Sequence, residues 1–130
     1  MSYSDAARSV TAIAAIDLSA LTHHFGIYTN AGKVTSGTTT LTAQGRVDGV
    51  IGSGVAADRA FNFICPDGAI VPIKLGATLT AGARVATAAD GRAVALGSSN
   101  GNQCWGILLE GGDANEIVPM KFQFSGQVNA

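Results

Sequence analysis

Histidine occurs at two positions only, His23 and His24, side by side. Adjacent imidazoles are candidate metal ligands or proton carriers, but successive side chains of an extended segment point to opposite faces, so this pair does not chelate one ion. They read as polar residues of a half-exposed segment. The carboxylates Asp48, Asp67, Asp90 and Asp113 lie among turn residues, where an aspartate bonds its own backbone. A paired-acid hydrolase would need them gathered by tertiary structure. No serine sits in a nucleophile elbow, and no third histidine exists to act as a base. Gly52-Ser53-Gly54-Val55-Ala56-Ala57 follows Val50-Ile51 in the loose form of a dinucleotide fingerprint. That motif needs a following helix and an acidic residue about twenty positions on. Here the chain continues as strand and the region around Leu75 is not acidic, so the glycines read as a β-turn. Cys65 and Cys104 stand in apolar, strand-like contexts. Two cysteines make neither a disulfide scaffold nor a zinc set; buried thiols in a reducing compartment are the favoured reading, with a Cys65–Cys104 bridge left open. The residues show no catalytic centre, and the expectation is a protein that is not an enzyme, with no metal, cofactor or small-molecule substrate.

What remains is packing chemistry and the strands that carry it. Phe61 and Phe63, and Phe122 and Phe124, stand two apart, the spacing of one strand face. Trp105, Phe122 and Phe124 are expected as core or interface aromatics. Residues 25–29, 46–51, 60–65, 69–73, 104–109 and 117–124 read as strands. Between Ala81-Gly82 and Val94, two extended pieces flank Asp90-Gly91, which supplies the φ > 0 positions of a hairpin turn. Residues 35–42, rich in Thr and Gly, read as a loose edge or loop. The two halves overlay weakly but in order. Ala31-Gly32-Lys33-Val34 answers Asp90-Gly91-Arg92-Ala93, Gly49-Val50-Ile51 answers Gly106-Ile107-Leu108, and Phe61-Asn62-Phe63 falls near Met120-Lys121-Phe122. The pattern predicts a mainly β fold, either a small β-barrel or paired β-lobes of β-tulip-like form. It has pseudo-repeats at about 18–68 and 75–126 within a single domain, 17–130, preceded by an N-terminal arm, 1–16.

Composition narrows the partners. The 130 residues carry a net charge of −1, with 13% charged side chains and 47% hydrophobic ones. That is too apolar for a disordered chain and too neutral to hold nucleic acid by its phosphates. No apolar run approaches the ~20 residues of a helical membrane span. The short apolar stretch 9–16 lies between Asp5 and Asp17, so the net-basic start of a signal peptide is missing. A chain this poor in charge is expected to cover part of its surface with a partner, by self-association or by docking onto a larger body.

The order Asp17-Leu18-Ser19-Ala20, Gly32-Lys33-Val34, Gly49-Val50-Ile51, then Leu79-Thr80-Ala81-Gly82-Ala83-Arg84-Val85, Asp90-Gly91-Arg92-Ala93-Val94, Gly106-Ile107-Leu108-Leu109-Glu110 and Glu116-Ile117-Val118 resembles the small capsid decoration (cement) proteins of tailed bacteriophages. Each motif alone is of low specificity; the ordered set is more specific and spans about residues 16–126. The sequence departs from that pattern at Gly111-Gly112-Asp113-Ala114 and in the segment 35–42. The resemblance implies a homotrimer on the outer surface of the expanded head, bridging neighbouring major capsid proteins, made in the host bacterial cytoplasm and carried in the virion. The apolar arm, through Tyr3, Val10, Ile13 and Ile16, is the expected capsid or inter-subunit contact. The competing reading is a non-enzymatic β binding module for host surfaces or glycans, with Trp105 or Tyr28 as an exposed stacking ring.

Overall fold

The computed structural model describes residues 8–36 and 41–129; Tyr3 lies outside them, as does the middle of the Thr/Gly-rich segment. Among the described residues ten strands form two antiparallel five-stranded sheets, and no helix occurs. The first sheet holds β1 (Ser9–Ile13), β2 (Phe25–Tyr28), β3 (Val34–Thr35), β4 (Gly49–Ile51) and β5 (Ala60–Ile64), in the order β1-β5-β4-β2-β3. The second holds β6 (Asp67–Lys74), β7 (Arg84–Thr87), β8 (Ala93–Ala95), β9 (Gly106–Leu108) and β10 (Ile117–Gln123), in the order β6-β10-β9-β7-β8. These are the same topology written twice. In each, the residue just after the first strand makes a parallel bridge to the third, Ala14 to Val34 and Leu75 to Ala93, which curls one sheet edge round toward the other.

The repetition extends to single hydrogen bonds. Thr29 N–H donates to Lys33 O at 2.7 Å, and its counterpart Ala88 N–H donates to Arg92 O at 2.8 Å. Leu18 N–H reaches Val55 O as Leu79 N–H reaches Gly112 O, at 2.7 and 2.9 Å. Ile51 N–H bonds His24 O as Leu108 N–H bonds Ala83 O. Where the second copy uses Gly82 at φ 84°, the first uses His23 at φ 65°, a left-handed conformation that glycine adopts without steric cost. Asp58 and Asn115, at φ 64° and 71°, close the equivalent turns before β5 and β10.

The expected paired-lobe β fold is therefore what forms, and the halves repeat, but two details differ. Residues 9–13 of the expected arm are β1, paired with β5 from Ser9↔Ile64 to Ile13↔Ala60. They belong to the first lobe, in the place β6 holds in the second, and the boundary at residue 16 does not separate arm from domain. The reason is register: Ala12 and Ala14 are small enough to point into the lobe, while Ser9, Thr11 and Ile13 face out. A truncation that tests the arm must accordingly stop before Arg8, whose N–H bonds Asp67 Oδ2 and whose carbonyl takes the Cys65 N–H. The second difference is a shift of two residues at the last strand. Phe61 and Phe63 correspond to Val118 and Met120, because Ile13↔Ala60 and Lys74↔Ile117 are the matching pairs.

The lobes share side chains unequally. One cluster, Ala14, Leu18, Val34, Ile51, Phe61 and Phe63 among others, fills the first lobe. The other fills the second lobe but includes Phe25, Leu41, Val47 and Val50 from the first. Alternation along β2 and β4 explains this: Phe25 and Val50 point to the second lobe, Tyr28 and Ile51 into their own. Phe25 meets Phe122 with ring centroids 5.9 Å apart and planes tilted by 45°. Backbone bonds run alongside, from Phe25 N–H to Gly91 O at 2.7 Å and from Lys74 N–H to His23 O at 2.9 Å.

Candidate interaction surface

The residues that could do chemistry are placed apart or tied up. Among the described residues no group of three His, Cys, Asp or Glu side chains is assembled for a metal ion. Asp67 and Asp90 bond backbone N–H groups two residues on, at Ala69 and Arg92, as turn aspartates do. Both cysteines are free thiols, Cys104 buried and Cys65 partly so.

His23 and His24 lie where the two lobes meet. His24 Nδ1 is 3.1 Å from Thr22 O, and His23 Nδ1 is buried with no hydrogen-bond partner. Burial holds both imidazole pKa values below the ordinary 6.5, and the Lys74 charge adds to the effect. For His24 the Thr22 carbonyl and Asp90 oppose the shift, while Arg92 reinforces it. A histidine whose native pKa is depressed binds its proton more readily in the unfolded chain. Its contribution to stability is thus complete above the unfolded value of 6.5 and is lost as pH falls from there through the native values. The melting temperature is expected to drop as pH falls below about 6.5, and the His23→Asn, His24→Gln variant to flatten that dependence when melts are recorded across the acid range.

The expected aromatics divide. Phe122 is fully buried in the second lobe, and Trp105 is 8% exposed with its ring 5.0 Å from that of Phe124, which is itself 49% exposed. Tyr28 and Phe63 form a T-shaped pair with ring centroids 5.3 Å apart. Trp105 is thus covered, whereas Tyr28 is half-buried. Of the expected contact residues, Val10, Ile13 and Ile16 are each more than a third exposed at the first lobe's edge.

A further surface emerges only from the strand pairing. β6 and β10 pair along their length, and at the centre of their outward face four side chains are apolar where a one-sided sheet ordinarily carries polar ones. Pro72 stands opposite Pro119, Ile70 opposite Lys121, and Ile117 opposite Lys74. Ile70, Pro72, Ile117 and Pro119 line a shallow groove of about 340 Å³, and Ile117 is 52% exposed. Two prolines are tolerated here because β6 is an edge strand and Pro119 lies where the β9 ladder ends, past Met120↔Leu108. The sequence carries a signal for it: the in–out alternation of residues 70–74 and 117–121 has apolar residues in both phases. Only the pairing tells which phase faces out.

The architecture defines a class: two tandem lobes, each a five-stranded antiparallel sheet of one topology, with no helix in the described chain. No protein-family model matches the chain, and no curated protein matches it in sequence. Among solved structures it is similar to the N base of the head fibre protein gp8.5 of bacteriophage phi29, with a TM-score of 0.69 and 16% identity, covering 91% of this chain and 95% of that one. At that identity the likeness is one of fold.

Proposed function

We propose that this chain is a structural protein of a tailed-bacteriophage head, seated on the outer surface of the expanded shell, where it bridges neighbouring major capsid proteins and stabilises the lattice. The observation that carries the reading is the fold shared over nearly the whole chain with a phage head fibre base. The ordered motifs that resemble capsid decoration proteins point the same way. A self-associating unit, a homotrimer by that resemblance, adds avidity without requiring any single strong contact. A protein that binds the assembled lattice better than its separated parts stabilises it by mass action. The low net charge suits many copies side by side. The competing binding-module reading needs an exposed stacking ring, whereas Trp105 is buried and Tyr28 is half-buried against Phe63.

Co-sedimentation with shells of the source virus tests this. Saturable binding to expanded heads, at stoichiometric copy number, with a raised melting temperature of the decorated shell, is the expected result. A protein left in the supernatant with both compact and expanded shells would overturn it.

A further inference from the structure

We propose that the outward face of β6 and β10 is the surface that docks on the shell, and that its counterpart there is an apolar patch rimmed by carboxylates; this rests on the head-protein reading above. The tandem repeat provides an internal control. The four apolar positions of the face, Ile70, Pro72, Ile117 and Pro119, are occupied at the same register of the first lobe by Ser9, Thr11, Ala60 and Asn62. The first lobe forms the same sheet with those smaller or more polar residues, so the fold does not require the apolar ones. Apolar side chains left exposed (Pro72, Ile117) or half-buried (Ile70, Pro119) where the architecture is indifferent to them mark a contact surface.

Charge decides the occupant. Lys74 and Lys121 flank the groove at opposite corners. Neither is in an ion pair among the described residues, whereas Lys33, Arg46 and Arg92 each have an aspartate. A face with an apolar centre and an unpaired cationic rim is matched by an apolar patch with an anionic rim. In two copies meeting face to face about a two-fold axis, each lysine corner falls on an isoleucine corner, or on a lysine where the axis runs diagonally; neither arrangement offers the charge a carboxylate, which disfavours the symmetric self-contact. Strand addition along β6 is hindered as well. Pro72 has no N–H to offer at the edge, and the Lys74 N–H is already held by His23 O. The contact is through the face.

The test transplants the first lobe's residues: Ile70→Ser, Pro72→Thr, Ile117→Ala and Pro119→Asn together, with Lys74→Glu plus Lys121→Glu as a separate variant. Circular dichroism and light scattering report fold and oligomeric state; co-sedimentation with expanded shells reports docking. The expected result is a folded protein of unchanged oligomeric state whose shell affinity falls at least about tenfold in each variant, with wild-type binding weakening as salt is added. Undiminished binding by a folded transplant would overturn the proposal, and so would loss of self-association with shell binding retained by the residual oligomer. Should the transplant fail to fold, the lysine variant decides alone, and wild-type affinity in it overturns the proposal. Failure of the wild-type protein to bind shells is a different result, visible without any variant, and removes the head-protein reading itself.

Discussion

Gly91→Ala is expected to cost roughly 2–5 kcal/mol of stability, from left-handed strain and overpacking together. Gly91 sits at φ 89°, and a Cβ there would meet Ser36 Oγ at 2.6 Å and Phe25 O at 2.7 Å. Those two atoms are bonded to each other, Ser36 Oγ donating to Phe25 O at 2.7 Å, and the Gly91 carbonyl itself takes the Phe25 N–H. The added carbon would therefore wedge apart a close approach between the lobes. Gly32 provides the comparison, since it holds the equivalent turn of the first lobe at φ 77°, and a Cβ there would meet no atom within 4 Å. Gly32→Ala should incur only the backbone term, about 1 kcal/mol. Urea unfolding of both variants measures the difference, and equal losses would show that the close approach at Gly91 is not a constraint.

The second large effect is at Phe25, fully buried on a first-lobe strand yet part of the second lobe's cluster. Phe25→Ala should destabilise by about 3–5 kcal/mol, a large share of the total stability of a domain this size. Its signature is cooperativity. Because one ring belongs to both lobes, thermal unfolding should stay a single transition at a lower temperature, followed by calorimetry. Two separated transitions in the wild-type protein would contradict a shared interior. A double-mutant cycle with Phe122→Ala should return a coupling of about 0.5–1.5 kcal/mol for the tilted ring pair.

The β class and the duplication are legible in turn chemistry. Asn30-Ala31-Gly32 and Asp90-Gly91 announce two equivalent hairpins, and Gly32 and Gly91 both take the left-handed conformation those turns need. The place of residues 9–13 is not legible, because an edge strand has the same composition whether its partner lies in its own chain or in another. The equivalence of Phe61 with Val118 is obscured because aromatic spacing gives a period but not a register. For the candidate surface, 69–73 and 117–124 read as strands, but the placement of Pro72 opposite Pro119 is a property of pairing. Phe124 and Trp105 stand out by type, yet only tertiary contact separates an exposed ring from a covered one.

The unequal sharing of interior side chains bears on synthesis. The first lobe leaves the ribosome with the outward sides of Phe25 and Val50 still uncovered, because the residues that will bury them, such as Val85 and Phe122, have not been translated. At roughly 5–20 residues per second the wait is a matter of seconds, during which the nascent half presents a sticky flank. A half-length gene product, or a display fusion that severs the chain between Ile64 and Asp67, would keep that flank permanently and should precipitate, whereas cargo appended beyond residue 129 leaves both lobes free to close.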